Sequence, residues 1–193
     1  MSNINETKLN KEKEIAESFS NLCTSTYECW QMHKIMCEYE RKYKIVDKDK
    51  SGIWARFGTI LHHYLILQGA KINDREKYGK DYNLSLAYFV ARVNKTSYTD
   101  SYNKFLKDNE EFIEANEKAR NKVVGHCDLK VFTSDAVVGA FSAGLDEKYF
   151  NSLHEIISAG YKELGLDFFP EWPSFIVNDT KIFMDKMLKI FNA

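Results

Sequence analysis

The scarcity of proline constrains this chain more than any other feature. Its 193 residues include two prolines, Pro170 and Pro173, and these lie close together near the C-terminus. A proline inside a helix removes a backbone donor and clashes with the preceding turn, at a cost of about 3 kcal/mol or more. A long stretch free of such breaks favours long helices, and the apolar spacing is helical. Ile15, Phe19, Leu22, Thr26, Cys29/Trp30, His33 and Cys37 recur at three-and-four spacing. They predict a first helix over residues 5–44, with Ser25-Thr26 as the place for a break. Lys44 to Gly52 reads as a charged turn. Ile53, Trp54, Phe57, Ile60, Leu61, Tyr64, Leu65 and Leu67 predict a second helix over 53–70. It is apolar on most of its surface and is expected to be central.

Residues 73–82 read as a polar loop, after which Asn83 or Ser85 caps a short helix over 84–93. Phe105, Phe112 and Ala119 recur at sevens and predict one helix over 99–125, which Gly125 is placed to end. Residues 127–145 lack a clear period beyond a short turn at 135–139. Phe150, Leu153, Ile156, Ile157 and Tyr161 predict a helix over 146–164, and Ile182, Phe183, Met187 and Ile190 predict another over 174–191. No repeat or low-complexity segment interrupts the series. The expected class is all-α, a helical bundle.

Bulk properties narrow the function. Hydrophobic residues make up 44% and aromatics 14%, enough for a packed core. The chain carries 27 basic and 28 acidic residues, a formal charge of -1. That balance argues against coating nucleic acid by charge alone, yet leaves room for a small basic cleft assembled between subunits. Cys23, Cys29, Cys37 and Cys127 form neither a CxxC pair nor a disulfide framework, which fits a reduced, intracellular protein. The start, Met-Ser-Asn-Ile-Asn-Glu-Thr-Lys, has no apolar signal core, and no run approaches the ~20 apolar residues of a membrane span. A cytoplasmic protein with no membrane partner is expected.

Several local patterns resolve into structural roles. Asp47-Lys48-Asp49-Lys50-Ser51-Gly52 begins like a calcium loop, but Gly58 stands where the bidentate glutamate belongs. His62 and His63 are neighbours and point ~100° apart on a helix, so one is expected buried and the other exposed. Cys29, His33 and Cys37 repeat at fours like metal ligands, without an evident fourth, and cysteines in a helix stripe usually pack. Tyr39 to Lys44 interleaves rings and cations, which suits nucleic acid or simply the cationic end of a helix. No Gly-rich phosphate loop and no nucleophile elbow is present.

One stretch carries chemistry: Arg120-Asn121-Lys122-Val123-Val124-Gly125-His126-Cys127-Asp128. It closes a long helix with a guanidinium, a carboxamide and an imidazole in close succession. Guanidinium forks onto phosphate oxygens, and imidazole moves protons near neutral pH. The amide can orient either group. This set suits phosphodiester cleavage without a metal. The structural alternative is an arginine complementing a helix dipole and Gly-His as a helix exit.

In its helical context this stretch resembles the signature of the HEPN superfamily, the higher-eukaryote-and-prokaryote nucleotide-binding domains: Arg, a polar residue, a short spacer and His at the end of a long helix. Asn116 to Asp128 is similar to its abortive-infection (Abi) branch, and Tyr82-Asn83-Leu84-Ser85-Leu86 resembles the Asn-Leu-Ser-Leu of that branch. The resemblance covers roughly residues 25–165, and it implies an antiparallel helical bundle over residues 1–165 with a helical extension, 166–193, packed on the same domain. It implies a metal-independent endoribonuclease without a cofactor, acting as a toxin or antiphage effector. Arg120, Asn121 and His126 would be its site, at a homodimer interface, and Asp128 would orient the histidine or cap the next turn. The partners it implies are an RNA substrate, a second copy of the chain and an antitoxin. The products would be a 2′,3′-cyclic phosphate and a 5′-OH. Relatives that have lost catalysis give the alternative, a nucleotide- or RNA-binding or assembly module.

Overall fold

The computed structural model describes residues 2–121, 144–167, 169 and 171–191. Among these residues the chain is all-α. The helices are α1 (Ser2–Tyr43), α2 (Ile45–Lys48), α3 (Ile53–Ile72), α4 (Leu86–Val93), α5 (Thr96–Asp108), α6 (Glu110–Ala119), α7 (Leu145–Glu163) and α8 (Phe175–Phe191). The sole described sheet is an antiparallel hairpin of β1 (Lys77–Tyr78) and β2 (Asp81–Tyr82).

Most expected helices are present, with instructive differences. α1 runs through Ser25-Thr26 without a break and ends where Lys44 turns left-handed at φ 53. α4 starts at Ser85, whose Oγ accepts from the Tyr88 N–H at 3.3 Å, and stops at Asn94, φ 48. As far as Asn121, the helix expected over 99–125 is two helices; the rest of that span, with Gly125, lies outside the described residues. Asn109 interrupts it because its side-chain Nδ2 donates to the Phe105 carbonyl at 2.9 Å, a carbonyl its own backbone N–H also uses. This local competition with the helical ladder is why asparagine disfavours helix interiors. The loop expected over 73–82 contains the hairpin. α3 is less central than its composition implies, because Ile53, Phe57, Ile60 and Tyr64 form an exposed stripe along it.

The chain forms two compact units, Met1–Cys23 with Ile66–Glu171, and Thr24–Leu65 with Trp172–Ala193. The units interleave along the sequence, whereas the expected division fell between residues 165 and 166. The tail from Trp172 groups with the middle of the chain.

The core of the first unit is aromatic. Phe19, Phe89, Tyr98, Phe105, Phe112, Tyr149 and Tyr161 are all buried. α7 packs on α4, α5 and α6. Phe112 stacks on Tyr149 with centroids 4.3 Å apart, a geometry worth about 0.5–1.5 kcal/mol beyond area burial. Gly160 makes the α7 contact fit, since a Cβ there would lie 2.4 Å from the Phe89 ring and 2.6 Å from the Tyr98 hydroxyl. The core of the second unit is mainly aliphatic and sulfur-bearing: Ile35, Met36, Ile45, Trp54, Leu61, Met184 and Leu188.

Candidate functional site

α6 sets the position of Arg120. Glu110 and Glu111 stand in its first turn, where negative charge suits the dipole. Phe112, Asn116 and Ala119 are buried on one face. Arg120 and Asn121 follow in a wider, π-type turn, and the Arg120 N–H donates to the carbonyls of Asn116 and Glu117.

The Arg120 side chain is 31% exposed, and its Nη1 lies 3.8 Å from Asp74 Oδ1. An exposed pair of that length contributes about 0–1 kcal/mol, so it holds the guanidinium only lightly. Arg120 Nε donates to Asn121 Oδ1 at 3.3 Å. Of the four candidate residues, the structure therefore joins Arg120 to Asn121. His126 and Asp128 lie outside the described residues.

Arg120 lines a polar cavity of about 200 Å³ with Asn73, Asp74, Arg75, Asn116 and Glu117. Asn116 is 2% exposed and donates Nδ2 to the Ile66 carbonyl at 3.2 Å. Gly69 lets it come close, since a Cβ there would lie 2.9 Å from Asn116 Nδ2. Asn73 donates Nδ2 to the Gly69 carbonyl and to the Tyr149 hydroxyl, both at 2.8 Å. Burial pushes the Tyr149 phenol far above its usual range and the Asn73 bond pulls it partly back, so the hydroxyl stays neutral. The Oδ1 atoms of Asn73 and Asn116 are buried without a hydrogen-bond partner among the described residues. A buried acceptor left unpaired costs about 1–3 kcal/mol, and both residues belong to the wall of this cavity. The cavity thus brings two cations, Arg75 and Arg120, and two carboxylates, Asp74 and Glu117, to one polar wall.

Other candidates take different roles. Asp49 is a cap: it accepts from Ser51 Oγ at 2.5 Å, from the Ser51 N–H at 3.0 Å and from the Trp54 N–H at 2.6 Å. The Ser51 hydroxyl first, then the Trp54 amide, hold its carboxyl below the usual range. His62 and His63 are both half-buried, so the expected contrast between them is absent. His33 meets His62 with ring centroids 5.3 Å apart, and Cys37 Sγ lies 3.8 and 3.9 Å from the two ring nitrogens of His33. No group of three or more His, Cys, Asp or Glu among the described residues is arranged to hold a metal ion. Tyr39 donates to Asp185 Oδ1 at 2.9 Å, which gives the ring-and-cation stretch at the end of α1 a packing role. Burial pushes the Cys23 thiol well up.

Two features were not singled out in the sequence. His154 lies 3.5 Å from Ser158 Oγ and 3.8 Å from Glu171. Those separations are long for a nucleophile and its base, and Glu171 is largely exposed. The second feature is the hairpin, whose Tyr78 and Tyr82 are exposed large rings. Its signal was present in Lys-Tyr-Gly-Lys-Asp-Tyr, where two strand-forming tyrosines bracket a glycine-led turn. No protein-family model matches the chain, and comparison with curated proteins and with solved structures finds no match either.

Proposed function

We propose that the chain is a metal-independent endoribonuclease in which Arg120, Asn121 and His126 cleave RNA, acting as a toxin or antiphage effector. The observation that carries the reading is the Arg120 guanidinium, lightly held beside a polar cavity and oriented by Asn121. RNA supplies its own nucleophile, the 2′-OH, so holding it in line with the adjacent phosphorus replaces a bimolecular step. As the 2′-oxygen attacks, its proton passes to a base. The bond from phosphorus to the 5′-oxygen breaks, and that oxygen takes a proton from an acid. The products are a 2′,3′-cyclic phosphate and a 5′-OH. Arg120 forks onto the non-bridging oxygens as charge grows there. His126 serves as base or acid. One imidazole does not easily serve both ends at once, and a two-fold dimer supplies a second. Asp128 orients His126 in this scheme.

The test is cleavage of total RNA by purified protein in EDTA. Wild-type protein should cut, and His126→Ala should cut about 10²–10⁴-fold more slowly. Arg120→Lys should also be poor, because a point charge does not reproduce the planar fork. Cleavage that survives in His126→Ala, or that vanishes in EDTA and returns with a divalent metal, sinks the proposal.

A further inference from the structure

We infer that Arg75 is a second phosphate-holding cation of the site at Arg120, set in place by Asn83 and Ser85. That the ligand is RNA rests on the ribonuclease reading; the placement of Arg75 rests on the bonds that hold its backbone. Arg75 lies in the connection between α3 and β1, outside any helix or strand, and lines the same cavity as Arg120.

A residue in such a connection has no ladder to fix it, so its carbonyl needs a partner from elsewhere. Asn83 Nδ2 donates to the Arg75 carbonyl at 2.9 Å, and Ser85 Oγ lies 3.5 Å from the same oxygen. The Asn83 N–H donates to the next carbonyl, that of Glu76, at 2.9 Å. Asn83 and Ser85 are alternative cap candidates in the sequence. Ser85 takes that role: it is fully buried and accepts from the Tyr88 N–H at the start of α4. Asn83 is left to clamp the Arg75–Glu76 backbone against that helix start.

The side chain is treated in the opposite way. Among the described residues the Arg75 guanidinium makes no hydrogen bond or ion pair. An exposed arginine is common on a surface; the charge of its wall is what singles this one out. Arg120 is already engaged by Asp74, at 3.8 Å, and Glu117 brings a second carboxylate. Arg120 alone would face two carboxylates, a wall that repels a phosphate. Arg75 restores the balance, and it is the cation of the two whose donors are not taken. Its backbone is set before binding, so little ordering remains to oppose the contact. Two guanidiniums offer two planar forks to the oxygens of a phosphodiester.

The experiment is fluorescence anisotropy of a labelled 2′-O-methyl single strand of roughly ten nucleotides, titrated at several salt concentrations. Its blocked 2′-oxygen prevents cleavage, so binding is read alone. Arg75→Ala should weaken binding about 10-fold. It should also make the fall of log affinity with log salt shallower by about 0.7, the share of one phosphate contact on a single strand. Arg75→Lys should keep the wild-type slope, since the charge remains, and bind between wild type and Arg75→Ala, since the fork is lost. Asn83→Ala should weaken binding a few-fold in the wild-type background and add nothing in the Arg75→Ala background, because it acts through Arg75. Unchanged affinity or an unchanged slope in Arg75→Ala, additive loss in the double variant, or no binding by the wild type overturns the inference. The two readings fail differently. If only the ribonuclease reading is wrong, the strand binds through Arg75 and total RNA is not cut. If only the role of Arg75 is wrong, cleavage depends on His126 while Arg75→Ala binds and cuts like the wild type.

Discussion

The two units solve the same packing problem with different materials. In the first, rings lock against rings, and polar groups are tied into the core: Tyr98 donates to the Ile156 carbonyl at 2.7 Å, and Tyr161 to Ser20 Oγ at 2.9 Å. In the second, methionine and aliphatic side chains fill the core, while Ile53 and Ile60 on α3 are 63% and 66% exposed. Rings with bonded hydroxyls adopt few alternative arrangements, whereas thioethers adapt to irregular space. A unit of the first kind can hold side chains in fixed register around a cavity. That is where Asn73, Asn116 and Arg120 stand.

The comparison can be broken most readily at Tyr149. Its ring meets Phe105, Phe112 and Phe150, so Tyr149→Ala should cost about 3–5 kcal/mol in a chemical-denaturation curve. A loss below 1 kcal/mol, roughly the scale of a surface change, would mean the aromatic core is not the rigid part. Gly160→Ala should cost about 1–3 kcal/mol, because the added methyl meets Phe89 and Tyr98 across a packed contact. In the second unit, Met184→Leu should cost less than about 1.5 kcal/mol despite full burial of Met184. If it costs as much as Tyr149→Ala, the contrast between the two cores is wrong.

Asp49 gives a pH-dependent test. Its carboxyl is held below its unfolded value, so its contribution is present above about pH 4 and is lost as pH falls through the lowered folded value. Thermal melts should therefore separate wild type from Asp49→Asn near neutral pH and converge in acid. A gap that widens in acid would reverse the assigned sign. The smallest effect is expected at Ile60→Lys, within about 0.5 kcal/mol for an exposed side chain. A loss several times larger would show that this face of α3 is covered in solution, which concentration-dependent light scattering would then trace to a second copy.

Local signals account for what was legible in advance. Ser85, one of the two cap candidates, and the apolar spacing of α1, α3, α7 and α8 depend on residues within a turn or two of each other. Asn109 was missed because its bond to the Phe105 carbonyl breaks a helix whose apolar period continues through it. Of the candidate site, Arg120 and Asn121 were named from residue type and from the resemblance that their stretch carries. The contributions of Asp74 and Asn73 were not, since they approach α6 from the end of α3.

The sequence by itself determined the helical class, most helix positions and the chemical character of the Arg120 stretch. These follow from backbone propensity, side-chain period and residue type, which act along the chain. Only the tertiary structure decided that Trp172–Ala193 groups with Thr24–Leu65, that two asparagine oxygens are buried beside one cavity, and that Tyr82 meets Tyr88. Such pairings depend on which distant surfaces exclude water together, and hydrophobic burial is non-directional: it draws apolar faces together without specifying in the local pattern which face meets which.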